Sequence, residues 1–189
     1  MFISLFAYFD ILLMNYTKIT ISGKICTGKT TLLQRLQKHL NWPSFITGQL
    51  FRDYVKKHGL SLEGAEEQSE KLTKEVDYKV RDILHEKGHL IVDGWMSGLM
   101  ANKLPDVLKI ILVCKDDIRY KRFAKREKIS FPEAKMRVED RQNSWFDKIK
   151  KIHKISKKSL NNEKNYNLVI DTSYITPQAV LKKVLDALK

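Results

Sequence analysis

The chain has 189 residues, 43% hydrophobic and 30% charged, which suits one α/β domain with a good-sized core and excludes a disordered or membrane-embedded protein. Its formal charge of +13 favours anionic partners, whether nucleotides, nucleic acid or an acidic surface. Two cysteines without metal-ligand spacing exclude a disulfide framework and point to a reducing cytoplasm.

Residues 1–14, MFISLFAYFDILLM, are apolar but lack the basic start and small-residue cleavage site of a secretory signal. Asp10 interrupts the run, which is too short to span a bilayer. Two readings remain. The run is an extra element packed on the domain or on a second subunit, or translation begins at Met14 and the extension comes from the gene model. The second is preferred.

Thr17 to Ile21 is β-branched and reads as a strand. Gly23, Lys24, Ile25, Cys26, Thr27, Gly28, Lys29, Thr30 and Thr31 follow, matching G-x-x-x-x-G-K-[ST]. Leu32, Leu33, Leu36 and Leu40 then recur at helical spacing. Strand, glycine loop and helix together are what a phosphate-binding loop requires. The glycines allow backbone angles that a side chain forbids. Successive N–H groups then turn inward as an anion nest, backed by the helix dipole. Lys29 bridges the β- and γ-phosphates of a bound triphosphate, and the Thr30 hydroxyl holds Mg²⁺. Cys26 occupies a variable loop position, with redox sensitivity as the alternative.

Asn41-Trp42-Pro43-Ser44 reads as a turn, and Phe45-Ile46 as a short strand. Thr47 is expected to cap a helix from Gln49 to His58, stopped by Gly59. A charged helix is expected from Ser61 to Lys87, with Leu72, Val76, Val80, Ile83 and Leu84 as its apolar stripe. His89 to Val92 is a buried strand ending in Asp93 and Gly94. An acid at that position has the Walker B pattern, facing the crevice of the glycine loop and holding the metal through water. The alternative is an Asp that caps the next turn.

Lys109 to Cys114 reads as a strand covered on both faces. Asp116-Asp117 is expected to cap a helix from Ile118 to Lys128, with Arg119, Arg122 and Arg126 on one face. Ser130 and Glu133 form a capping box for a further helix. It carries Arg137 and Arg141 and runs to about Lys158. Asn161 to Asn165 is a polar loop and Leu168 to Asp171 the last strand. Thr176-Pro177 opens the closing helix. No repeat or linker interrupts residues 17–189, which read as a single domain.

Alternating strands and helices behind a phosphate loop mean a parallel sheet covered on both faces. Phosphoryl transfer needs positive charge around the moving group, and guanidinium forks supply it. Lys29, Arg126, Arg137 and Arg141 are therefore the candidate catalytic cations. The helices meeting at Lys128-Ile129 read as a hinged cover that excludes water.

Five segments, ITISGKICTGKTT, FITGQLFRDYVKKHGLSLE, HLIVDGWMSGLM, LKIILVCKDDIRYKRFAKREKIS and LVIDTSYITPQAV, occur in the order seen in nucleoside monophosphate kinases. From Thr17 onward the chain resembles this family of P-loop kinases, closest to the short archaeal-type cytidylate kinases. The resemblance implies a three-layer P-loop fold with strand order 2-3-1-4-5. It also implies ATP with Mg²⁺ as the phosphoryl source. Thr47, Gly48 and Arg52 would belong to the acceptor-binding region (about 47–87), with Asp93 and Gly94 as the strand-three acid and its turn. Arg119, Arg122, Arg126, Arg137 and Arg141 would form a lid over about 118–148.

Lys29 stands where the archaeal-type enzymes often carry threonine. Trp95 stands where they commonly have arginine. Trp145, Phe146 and Lys148 occupy a stretch where further arginine is frequent. Asp93-Gly94 followed by an aromatic also resembles adenylate kinases. The expected reaction is ATP-dependent phosphorylation of CMP or dCMP by a cytoplasmic enzyme, monomeric in preference to dimeric. The alternatives are AMP or another small phosphate acceptor, an RNA-associated ATPase suggested by lysine-rich residues 148–158, or a nucleotide-binding module without activity.

Overall fold

The computed structural model describes residues 15–59, 70–160 and 162–189. The apolar run at 1–14 and the helix start expected at Ser61 lie outside them. The elements are β1 (Lys18–Gly23), α1 (Lys29–Leu40), β2 (Ser44–Ile46), α2 (Thr47–His58), α3 (Glu70–His85), β3 (Leu90–Asp93) and α4 (Ser97–Met100). They continue as β4 (Val107–Val113), α5 (Asp116–Glu127), α6 (Phe131–His153), α7 (Lys157–Leu160), β5 (Leu168–Asp171) and α8 (Pro177–Leu188).

The five strands pair in parallel in the order β2-β3-β1-β4-β5, the expected order. β1 is central and buried along its length, as a strand covered on both faces must be. Side chains alternate between the two faces. Ile91 joins Ile19, Ile21, Leu36 and Val184 in the core under α1 and α8. Its neighbour Val92 joins Val80, Leu84 and Val107 in the core under α3 and α4. Lys18 is drawn into the sheet by Asp106, its Nζ 3.0 Å from Oδ2. A 2.6 Å hydrogen bond from Thr17, followed by that of Lys18, holds the Asp106 carboxyl below the ordinary aspartate value.

Several boundaries differ from those expected, each for a local reason. α2 begins at Thr47 itself, because the Thr47 hydroxyl donates to the Asp93 carbonyl at 3.1 Å instead of capping. β4 begins two residues early, since Val107 and Leu108 pair with Lys18 and Ile19. α5 begins at Asp116, which has no capping bond and accepts from Arg119. Ser130 does cap α6, accepting from the Glu133 N–H. α6 stops at His153, where left-handed Lys154 closes it. The short α7 and a 3₁₀ turn at Glu163–Asn165 follow. Thr176 caps α8 by accepting from the Ala179 N–H, as expected.

Parallel strands all deliver their carboxyl ends to one edge of the sheet. β1 leaves that edge at Gly23, whose φ is 140°. A Cβ there would collide with the Leu112 carbonyl oxygen on β4 and approach Thr27 Oγ1 to 2.8 Å. Among the described residues no helix is long and apolar enough to cross a membrane. Gly23→Ala is expected to cost at least about 2 kcal/mol of stability. Urea unfolding measures this, and an unchanged midpoint would contradict it.

Candidate active site

The glycine loop is held from outside by its own carbonyls. Lys24 O accepts from Thr27 Oγ1 at 2.9 Å and from Lys29 Nζ at 3.1 Å. Ile25 O accepts from Arg119 Nη1 at 3.0 Å. Cys26 O accepts from Arg122 Nη1 at 3.3 Å, and Thr27 O from Thr172 Oγ1 at 2.9 Å. Four consecutive carbonyls are thus turned toward protein donors, which favours presenting the N–H groups to the opposite side. Cys26 adopts φ 62° and Gly28 φ 98° as the chain enters α1.

The arginines divide by function. Arg119 is 1% exposed, and its guanidinium spans Asp116 Oδ1, at 3.0 and 2.6 Å, and the Ile25 carbonyl. Arg122 grips Thr172 O at 2.6 Å besides Cys26 O. Both sit on the shared face that their spacing implies, but that face is turned onto the loop. Burial raises the Asp116 carboxyl, yet the Arg119 bonds and the Arg119 and Lys24 charges outweigh it and hold it below the ordinary value.

Beside the loop opens a cavity of about 670 Å³. Ile25, Cys26, Gly28, Lys29, Thr30 and Thr31 line it from the loop side, Thr47, Gly48, Arg52, Asp93 and Gly94 from the other, and Arg122, Arg126, Arg141 and Lys148 from α5 and α6. Gly23, Lys24 and Thr27 are not among its lining residues; they shape the loop behind it. Arg137 does not line it either. Its Nη2 lies 2.9 Å from Glu133 Oε1, one turn back along α6.

At the foot of the cavity Thr30 Oγ1 donates to Asp93 Oδ2 at 2.9 Å. Asp93 accepts this bond as a side chain instead of capping the following turn. Gly94 is pressed against Thr47, where a Cβ would come within 2.8 Å of the threonine side chain. Arg52 meets Gln49 Oε1 through Nε at 3.1 Å and Nη2 at 2.8 Å. Among the described residues no three His, Cys, Asp or Glu side chains cluster as a metal site.

The sequence matches the family described as an AAA domain over residues 19–142. It is 31% identical over 174 residues to the cytidylate kinase of Haloarcula marismortui, covering 90% of this chain and 88% of that protein. The cytidylate kinase of Pyrococcus abyssi is 32% identical over 176 residues, covering 90% of this chain and 94% of the relative. A shikimate kinase from Acinetobacter baumannii shares the fold, with a TM-score of 0.60 at 12% identity over 94% of this chain and 95% of that one. The chain belongs to the nucleoside monophosphate kinase family of P-loop proteins.

In this kinase two of the departures noted in the sequence meet. Trp95 and Trp145 touch edge to face with ring centroids 4.0 Å apart, and Phe146 packs beside both. Trp95 and Trp145 thus form one aromatic wall of the cavity, with Phe146 buried behind them. The lysine-rich stretch is also partly used inside the fold: Lys148 lines the cavity, Ile149 is core, and His153 Nε2 lies 2.8 Å from Asp77 Oδ2. The sequence reading missed Thr73 and Asp77, which also line the cavity. The available signal was a carboxylate placed between Val76 and Val80 on the buried stripe of α3.

Lys29 stands in an electrostatically unfavourable place. Its side chain is partly buried. Burial pushes its ammonium below the ordinary lysine value; Asp93 and Cys26 oppose this, and Arg119 and Arg126 add to it. Burial likewise pushes the Cys26 thiol up, against the pull of Arg126 and Lys29, so the site does not favour a reactive thiolate.

A depressed lysine pKa means that folding penalises the charged form. The penalty is full below the folded pKa and fades as pH rises toward the ordinary 10.5. Lys29→Met is therefore expected to raise the melting temperature of the ligand-free kinase at pH 7. The gain should shrink on approaching pH 10.5, while phosphoryl transfer falls at least about 100-fold. A lower melting temperature at pH 7 would contradict this. Arg119→Lys keeps the charge but cannot span Asp116 and Ile25 O together. It is expected to weaken nucleotide binding about ten-fold, and calorimetry showing unaltered affinity would refute the clamp.

Proposed function

We propose that the kinase transfers the γ-phosphoryl group of ATP to CMP or dCMP, giving ADP and the cytidine diphosphate. The observation that carries the transfer is the Thr30–Asp93 contact beside Lys29. A hydroxyl and a carboxylate oxygen at the end of a phosphate loop fit a hard cation shared with the nucleotide. Mg²⁺ would be held by Thr30 directly and by Asp93 through water, and when bound it neutralises charge on the β- and γ-phosphates. The base assignment is supported by relatives named as cytidylate kinases along nearly the whole chain.

The residues divide the work by position. Backbone N–H groups of the loop residues that line the cavity, Ile25, Cys26 and Gly28 to Thr31, cradle the triphosphate, and Lys29 places its ammonium against the β- and γ-phosphates. Arg126 and Arg141 offset charge as the bond from Pγ to the β-bridging oxygen breaks and the bond to the acceptor phosphate oxygen forms. Arg52, with Thr47 and Gly48, receives the acceptor phosphate. The attacking atom is already an anionic oxygen, so no general base is needed; positioning and charge neutralisation carry the catalysis. The α5–α6 cover excludes water, which would otherwise compete as acceptor.

A transfer assay with ATP, Mg²⁺ and a panel of CMP, dCMP, UMP, AMP and GMP tests this reading. The expected result is the highest kcat/KM with CMP or dCMP. No turnover of either, in folded protein that binds ATP, overturns the assignment. Preference for AMP would move the enzyme to the adenylate class.

A further inference from the structure

The acceptor half of the cavity contains a carboxylate that the phosphate chemistry does not use. Asp77 lies on α3 and lines the cavity, its side chain 11% exposed. His153 Nε2, at the end of α6, meets Oδ2 at 2.8 Å. The other oxygen, Oδ1, has no hydrogen-bond partner among the described residues. Burial raises the Asp77 carboxyl, and the bond and charge of His153 act against that. No loop cation acts on it, whereas Lys29 feels Asp93, Cys26, Arg119 and Arg126. Asp77 therefore stands outside the phosphate-binding cluster while facing the same cavity.

A buried carboxylate in a pocket for anions must face a part of the ligand that donates hydrogen bonds. Thr73, one turn earlier and also buried, adds a hydroxyl to the same wall, and Val80 and Phe51 add apolar surface. Apolar surface beside one fixed acceptor suits a nucleobase.

We propose that Asp77, held by His153, reads the base of the acceptor nucleotide and selects cytosine over uracil. The inference rests on the nucleotide-kinase reading above. An ionised carboxylate only accepts hydrogen bonds. Cytosine offers its 4-amino group as a donor at the edge where uracil presents a carbonyl oxygen. Uracil would set oxygen against oxygen and leave the buried carboxylate unpaired. His153 is the positioning residue: it occupies Oδ2 and leaves Oδ1 for the base.

The test compares kcat/KM for CMP and UMP in the wild type and in Asp77→Asn, whose amide offers both a donor and an acceptor. The wild type is expected to favour CMP, and the variant to lower the CMP-to-UMP ratio about 10- to 100-fold with the KM for ATP held within about two-fold. An equal loss for both acceptors, leaving the ratio unchanged, makes the pair a structural latch and overturns the proposal. If the variant does not fold, wild-type protein is assayed with the pyrimidin-2-one nucleotide, which lacks only the 4-amino group. A loss of about ten-fold or more against CMP supports the proposal; equal use of the two overturns it. A wild type that turns over neither CMP nor UMP instead sinks the functional reading, and this proposal with it.

Discussion

Four carbonyls of one loop must be turned outward and kept there, and much of this structure serves that requirement. A loop that displays its N–H groups to a phosphate has to find partners for the carbonyls on its other side, or leave them as unpaired buried acceptors. Three partners come from far along the chain, Arg119 and Arg122 on α5 and Thr172 just after β5, and the loop's own Thr27 and Lys29 supply the rest. The shape of the loop therefore depends on α5 and on the β5 exit. The parallel sheet meets this condition because β1, β4 and β5 are neighbours and end on the same side.

The same crowding sets the electrostatics. Holding the loop with guanidinium groups leaves Lys29 among like charges as well as partly buried. Asp93 is the compensating anion, fixed by Thr30 and by the contacts of its own backbone with Thr47. Such a site is most comfortable when a polyanion fills it, so binding and stability are linked by mass action. Carboxylates elsewhere in the cavity would weaken it for phosphate, which makes the isolation of Asp77 from the loop cations physically sensible.

Much of this was legible in the residues. The loop pattern with its flanking strand and helix located one end of the cavity, and the acid ending a buried strand located the carboxylate that meets Thr30 there. Strand order came from resemblance, because periodicity alone does not order strands. Where the reading failed, it failed on direction. Spacing placed Arg119 and Arg122 on one face of α5 but could not say that the face looks inward at carbonyls. Thr47 and Asp116 had the composition of caps, yet the distant Asp93 carbonyl took the Thr47 hydroxyl and the Arg119 guanidinium, one turn along α5, took the Asp116 carboxylate. Asp77 was passed over because its neighbours in sequence form an apolar stripe, and its partner His153 lies 76 residues away.

The aromatic wall has one more consequence. The chain has three tryptophans. Trp42 is buried and stacked on His89, with ring centroids 4.3 Å apart, and does not line the cavity. The other two sit in contact on the cavity surface, one just after β3 and one in the middle of α6. Indole emission responds to the polarity around the ring and to neighbouring groups. The molecule thus carries an optical probe at the boundary between its sheet and its cover, and the arrival of a ligand or a shift of α6 can be followed by light without attaching a label.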